Sequence, residues 1–257
     1  MADATAARRA MAVLRTLASA PGPLPAAVIA REVGIPRSST YHLLTAMAED
    51  GFVVHDPDDR RWGLGVTAFE LGSAYLRQDP LQRRAGPVLR GLVRELPSDL
   101  AAMAHCSVLH GRESLYISVQ PTSRLVTIVA EVGVRLPASL TASGRSMLAA
   151  LPSSQVRALF PNADAFIDRT GRGPMSPSAL ARLLASERPT GLSVEEGMVT
   201  DGYSSIASAS VDRSGRPLAA IGLTVHQDHL APDQVGHFAE LLRRACEALT
   251  RALGVQH

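Results

Sequence analysis

Apolar residues recur along this chain with two periods, and the switches between them mark out its elements. From Thr5 to about Ala20 the positions Ala10, Val13, Leu14 and Leu17 fall three and four apart, as in a helix with one buried stripe, and Pro21-Gly22-Pro23 stops the pattern. Two shorter helical patterns follow. The first runs from Pro25 to Val33, with proline in its first turn and Gly34 just past its end. The second runs from Arg37 to Met47, and Thr40, Leu43, Leu44 and Met47 form its buried stripe. Its other side carries Arg37, Ser38, Ser39, Tyr41, His42 and Thr45. These side chains are short or planar hydrogen-bonders, suited to base edges and phosphates in a major groove. The pair reads as a helix-turn-helix with the second helix as the recognition helix.

Helix pairs joined by a Gly turn occur in proteins of every kind, so the hairpin that follows carries the argument. Phe52 to His55 alternates like a strand, Asp56-Pro57-Asp58-Asp59 is a turn cluster, and Arg60 to Leu64 reads as the return strand. A hairpin directly behind a recognition helix is a wing, and Arg60 and Arg61 sit where its tip would meet a phosphate backbone.

From Gly65 the period is helical again. Val66, Phe69, Tyr75 and Leu76 lie along a helix that Asp79-Pro80 breaks, which predicts a linker helix over 66–79. Val66, Phe69 and Leu76 give it more apolar surface than a small winged domain can cover, the mark of a dimerising helix. Pro80 starts another helix, to about Leu96. Beyond it strands and helices mix: strands over Leu100–Leu109 and Leu115–Gln120 around a turn at His110–Glu113, a β-rich stretch over Arg124–Glu131, and helices over Ala142–Leu151, Ser153–Phe160 and Pro177–Ser186. Strands near Pro189–Ser193, Ser205–Val211 and Pro217–His226 precede a final helix, Pro232–Leu253. Antiparallel strands with helices at their ends predict an α+β domain over 80–257, behind a winged helix-turn-helix over 1–65.

Composition narrows the chemistry. The chain of 257 residues is 46% hydrophobic but only 4% aromatic, so aliphatic side chains must build its cores. All 26 basic residues are arginine, which removes Schiff-base and lysine-nucleophile chemistry. Net charge is only +2, and residues 1–80 hold eight Arg against nine Asp or Glu, so any basic footprint on DNA must be local. Cys106 and Cys246 match no metal spacing and suggest a reducing compartment. No stretch approaches the ~20 apolar residues of a membrane span, and no signal-like run opens the chain, so the expected location is the cytoplasm with no membrane partner.

Four segments together resemble the IclR family of bacterial transcription regulators: LPAAVIAREVGIPRSSTYHLLTAMAEDGFV, then WGLG, then LPASLTASGRSMLAAL, then SIASASVDRSGRPLAAIGLTV. The resemblance covers essentially the whole chain. It implies a winged helix-turn-helix joined to a GAF-like effector-binding domain, in a homodimer or homotetramer that binds double-stranded operator DNA and answers to a small metabolite, often an organic acid. It also implies an effector pocket built from Leu125, Ile128, Ala142, Ser143, Glu195, Ser205, Gly222 and Thr224; a cavity bounded by the helix start at 142 and the strands 205–211 and 217–226 would also take Ile221 as apolar wall. Three positions depart from the family pattern: His42 where Arg is frequent, Met198 where an acid is frequent, and Ser205 where Cys is common.

The residues themselves support one part of that pocket. Thr141-Ala142-Ser143-Gly144 opens a helix, whose free N–H groups and positive dipole end favour an anionic or strongly polar ligand; alternatively Thr141 or Ser143 merely caps the helix. His226, Asp228, His229 and His237 read as a surface loop rather than a metal site. Gly171-Arg172-Gly173-Pro174 lacks the Lys-Ser/Thr of a phosphate loop, and no Ser, His and Asp spacing forms a triad. The leading expectation is a ligand-responsive DNA-binding regulator with no catalysis, cofactor or metal. The alternative is an enzyme or metal sensor fused to a DNA-binding domain.

Overall fold

The computed structural model describes residues 2–122, 131–230 and 232–254, in two compact units that divide between Asp79 and Pro80. The first unit runs α1 (Ala2–Ser19), β1 (Leu24–Pro25), α2 (Ala26–Val33), α3 (Arg37–Glu49), β2 (Val53–Asp56), β3 (Arg61–Leu64) and α4 (Val66–Gln78). Its small antiparallel sheet has the order β1-β3-β2. The stripes read from the sequence converge here. Val13 and Leu17 of α1, Ile29 of α2, Leu44 and Met47 of α3, Val53 of β2 and Trp62 of β3 form one core. Each large apolar side chain fully buried in such a core contributes about 1.5–3 kcal/mol. The two-residue strand β1 escapes a reading by periodicity; it pairs Leu24 with Trp62 and Pro25 with Arg61.

The second unit runs α5 (Pro80–Arg94), β4 (Ala102–His110), β5 (Glu113–Pro121), β6 (Arg135–Pro137), α6 (Ala142–Ala150), α7 (Ser153–Leu159), α8 (Pro177–Glu187), β7 (Leu192–Glu196), β8 (Tyr203–Val211), β9 (Pro217–His226) and α9 (Pro232–Ala252). The strands form one antiparallel sheet in the order β6-β5-β4-β9-β8-β7.

Strand alternation gives this sheet two unlike faces. Ala104 and Cys106 of β4, Ile117 of β5, Ile206 of β8, and Ile221, Leu223 and Val225 of β9 point to one side. There they pack with Leu89 and Leu92 of α5 and with Phe238, Leu242 and Leu249 of α9. The residues between them, including His105, Tyr116, Glu195, Ser205 and Thr224, point to the side where α6 lies. A separate apolar cluster ties α6, α7 and α8 together through Leu148, Val156, Leu180 and Leu184.

One expected strand shifts. The strand expected at Pro189–Ser193 is β7 at Leu192–Glu196. Pro189 to Gly191 instead closes α8: the Gly191 N–H donates to Glu187 O at 3.1 Å, and the left-handed backbone at Gly191 (φ 64°) turns the chain into the strand. The three-residue β6 goes unread because so short a strand leaves no alternation to count. Of the expected β-rich stretch 124–131, residues 124–130 lie outside the described residues, and so do the candidate pocket positions Leu125 and Ile128.

Candidate DNA-binding face and effector cavity

The turn between α2 and α3 needs a left-handed residue, and Gly34 supplies it at φ 72°, its N–H returning to Ala30 O at 3.0 Å. Thr40 is fully buried and its hydroxyl donates to Pro36 O at 3.0 Å, which locks the first turn of α3. With that side held down, Arg37, Ser38, Tyr41, His42 and Thr45 all stand exposed on the other; Ser39 is half-buried.

In the wing, Asp56 Oδ1 accepts from the N–H groups of Asp58 and Asp59 at 3.0 and 3.3 Å and shapes the tip. Arg60 follows in a left-handed conformation (φ 51°), exposed. Arg61 lies one residue inside β3, also exposed, and its guanidinium donates to Pro23 O at 3.1 Å. Asp56, Asp58 and Asp59 stand beside these two arginines, so the tip as a whole is not basic. The His55 ring rests 4.5 Å from the Trp62 ring and shields it.

In the second unit a cavity of about 300 Å³ lies on the α6 side of the sheet. One wall is the start of α6. Thr141 is the cap: its hydroxyl accepts from the Gly144 N–H at 3.0 Å. Ser143 is not the cap; its hydroxyl meets that of Ser114 at 3.2 Å. The N–H groups of Ala142 and Ser143 find no acceptor among the described residues, and both residues line the cavity. Facing them, Glu195 is 2% exposed, and its Oε1 accepts from the N–H of Met198 at 2.5 Å and of Val199 at 3.1 Å. Burial raises its carboxyl above the ordinary glutamate range, and these backbone bonds offset only part of that effect. Ser205 and Thr224, opposite each other on β8 and β9, join hydroxyls at 3.0 Å.

Five of the expected pocket residues therefore meet here: Ala142, Ser143, Glu195, Ser205 and Thr224. Two do not. Gly222 lies beneath the cavity lining rather than in it, because His105 covers it: a Cβ on Gly222 would fall 2.5 Å from His105 Nε2. Ile221 points to the opposite face, among the α5 and α9 side chains, since neighbours on a strand face opposite ways.

The sequence reading missed His105 and Tyr116. Their rings stack at 4.5 Å between centroids and 11° between planes, and both line the cavity. The signal was present: His105 shares a strand face with Met103 and Ser107, opposite Ala104 and Cys106. Burial lowers the His105 pKa to about 4, so the ring is neutral at pH 7, and burial raises the Tyr116 phenol further above its usual range. Arg169, also missed, places an exposed guanidinium at the cavity's edge.

Behind this wall Arg145 of α6 is fully buried. Its guanidinium donates to Glu187 Oε1 at 2.9 Å, Leu140 O at 2.9 Å and Val194 O at 2.5 Å. Ser193 donates to the other Glu187 oxygen at 2.8 Å. Among the described residues no group of three or more His, Cys, Asp or Glu is placed to hold a metal ion; His226 instead pairs with Asp228 at 3.1 Å. Both cysteines are buried, and burial pushes the Cys246 thiol up to about 12, where it is unreactive. No described helix is long and apolar enough to cross a membrane.

A winged helix-turn-helix joined in one chain to a sheet domain with a cavity defines a class, the DNA-binding transcription regulator with its own ligand-binding unit. Comparison with known proteins fixes which kind. Residues 6–57 match the model of the IclR helix-turn-helix domain, and residues 73–251 match that of the bacterial transcriptional regulator IclR C-terminal region. The chain belongs to the IclR family. Over 259 residues it is 28% identical to the HTH-type transcriptional repressor AllR of Klebsiella pneumoniae, covering 98% of this chain and 91% of that one. It is 27% identical to the transcriptional repressor IclR of Escherichia coli, covering 96% and 89%. In fold it is similar to a putative IclR regulator from Silicibacter (TM-score 0.84, 24% identity, 98% and 97% covered). It is also similar to an IclR homolog from Microbacterium hydrocarbonoxydans complexed with 4-hydroxybenzoate (TM-score 0.78, 24% identity, 98% and 100% covered).

Proposed function

We propose that this regulator works in the cytoplasm, without catalysis, as a homodimer or a tetramer built from dimers. It binds a pseudo-palindromic operator through Arg37, Ser38, Tyr41, His42 and Thr45, with Ser39 at the margin and Arg60 and Arg61 on flanking phosphates. A small organic acid or polar metabolite occupies the cavity of the second unit and changes operator affinity.

The observation that carries this reading is the pairing of two unsatisfied surfaces. The polar side of α3 is exposed along its length. The cavity brings the unpartnered N–H groups of Ala142 and Ser143, at the positive end of α6, against a mostly apolar wall with a few hydroxyls. The relative crystallised with 4-hydroxybenzoate supports a small acid as the kind of occupant. Coupling between effector and operator of this type is typically about 1–3 kcal/mol.

The test is a mobility-shift assay of the purified protein on DNA from its own promoter region, followed by a screen of metabolites and a chelator. Retardation that a small acid relieves is the expected result. No retardation, or release by the chelator alone, would turn the reading toward the metal-sensor alternative.

A further inference from the structure

The cavity contains one polar group whose needs the protein leaves unmet. His105 is 1% exposed, and neither Nδ1 nor Nε2 makes a well-formed hydrogen bond among the described residues, the ring having only a weak interaction with the Met103 backbone. A neutral imidazole carries one N–H donor and one acceptor nitrogen, and a ligand group that pairs with them is favoured over one that cannot. The ring is nonetheless held in place from two sides. Tyr116 stacks on it at 4.5 Å, and the β9 backbone at Gly222 is so close that an added Cβ would lie 2.5 Å from Nε2 and 2.7 Å from Cε1. Only glycine lets the ring lie down against the sheet. The side left open is the cavity.

Resting on the effector reading above, we propose that His105 is a specificity-determining residue that reads a hydroxyl group on the effector, so that the ligand is a small hydroxy acid. The carboxylate end belongs at the free N–H groups of Ala142 and Ser143, with the exposed Arg169 guanidinium at the same cavity's edge. The rest of the ligand must meet a neutral imidazole, the paired hydroxyls of Ser205 and Thr224, and the Glu195 carboxyl, which line the same cavity. A hydroxyl both donates and accepts, so it satisfies either nitrogen of the ring and can also donate to Glu195. A keto oxygen only accepts, so it can serve the ring's N–H but leaves its other nitrogen unpaired. A methyl or hydrogen there leaves His105 as unpaired as it is without ligand. The volume, about 300 Å³, sits at the small end of ligand pockets.

The experiment uses full-length protein and three matched ligand sets: lactate, pyruvate and propionate; glycolate, glyoxylate and acetate; 4-hydroxybenzoate and benzoate. Affinities are measured by calorimetry on wild type, His105→Phe and His105→Gln. In wild type, the hydroxy member of at least one set should bind about tenfold or more tightly than its keto and deoxy partners. His105→Phe keeps the stacking ring but no polar edge, and should erase that preference by weakening the hydroxy member alone. His105→Gln, which still donates and accepts, should retain part of it, and it serves if the Phe variant does not fold. The inference is overturned if no hydroxy acid in the panel binds at millimolar concentration, if the members of each set bind alike, or if His105→Phe keeps the preference. Operator retardation by wild type is scored in parallel. Its loss would count against the regulatory reading, whereas retained operator binding with an indifferent panel would sink the His105 assignment alone.

Discussion

Arg145 and Glu187, 42 residues apart, form an ion pair at 2.9 Å in which the guanidinium has no solvent exposure and the carboxylate about 9%. The pair joins α6 to the end of α8, and the same guanidinium holds the carbonyls of Leu140 and Val194. It therefore fixes the start of α6 relative to the strand that carries Glu195. Pairs of this kind are weak sources of stability as a whole but costly to break from one side.

Removing one partner should show that asymmetry. Arg145→Leu leaves the Glu187 charge buried and should cost about 3–5 kcal/mol, while the double variant Arg145→Leu/Glu187→Leu should recover much of the loss. Urea unfolding followed by circular dichroism measures this. The fluorescence of Trp62, the only tryptophan, lies in the wing and reports the first unit separately. An Arg145→Leu protein as stable as wild type would mean that the pair is not formed in solution.

The DNA face separates positioning from reading. Arg37→Ala should weaken binding to all sequences alike and flatten the slope of log K against log salt by about one unit. His42→Ala should instead relax sequence preference with little change in salt slope. Arg60→Ala should act like Arg37→Ala. The effect of Arg61→Ala should be smaller, since that guanidinium already serves Pro23 O. Fluorescence anisotropy across a salt series decides; an unchanged slope for the Arg60/Arg61 double variant would remove the wing from the interface.

The linker helix bears on assembly. Val66 is 65% exposed and Phe69 74%, on adjacent turns of α4, while the side chain of Leu76 lies outside the described residues. Leu71 and Tyr75, also exposed, extend the apolar surface to another side of the helix. Phe69→Asp should lower the molar mass measured by light scattering at micromolar concentration and weaken operator binding with it, as expected when half-site spacing follows protein symmetry. A wild-type monomer that still binds its operator would contradict this.

Two groups in the cavity give stability opposite pH dependences. His105 has a folded pKa of about 4 against an ordinary 6.5, so as pH falls from 6.5 toward 4 the unfolded chain takes up a proton that the folded chain refuses, and stability drops across that window. Glu195 is raised, so its contribution is fully present at low pH and is lost as pH rises through its folded value. Thermal unfolding against pH should show a smaller decline between pH 6.5 and 4 in His105→Gln. In Glu195→Gln the decline on the other side should shrink, and at pH values above the folded pKa of Glu195 carboxylate ligands should bind more tightly because a buried like charge is gone. Curves that superimpose on wild type would refute both assignments.

Ser143→Leu tests the anion end of the cavity. The added side chain should fill the space beside the free N–H groups and abolish effector response while operator binding persists. A variant that responds at wild-type concentrations would place the ligand elsewhere.

Most of the architecture was legible because it follows from periodicity and punctuation. The stripes of α1 and α3, the Gly34 turn, the wing and the start of α6 are local signals, and they lie where the sequence put them. The cavity was legible in part. Ala142, Ser143, Glu195, Ser205 and Thr224 converge on it, but Gly222 lies beneath the lining, where it makes room for the His105 ring from the neighbouring strand. Arg145 offered no warning at all: one arginine in an Ala- and Ser-rich helix looks like a solvent-exposed charge until Glu187, Leu140 and Val194 are folded around it. Such partners lie far apart in sequence, and only the packed unit brings them together.

The unlike faces of the six-stranded sheet have a consequence for how such a sensor can diversify. Cys106, Ile206, Ile221 and Leu223 build the apolar core with α5 and α9, whereas His105, Ser205 and Thr224, on the same strands, face the cavity. Each strand thus carries two sets of residues at alternate positions, one that holds the unit together and one that lines the cavity. A lineage can exchange the second set for a new metabolite while every residue of the first stays as it is.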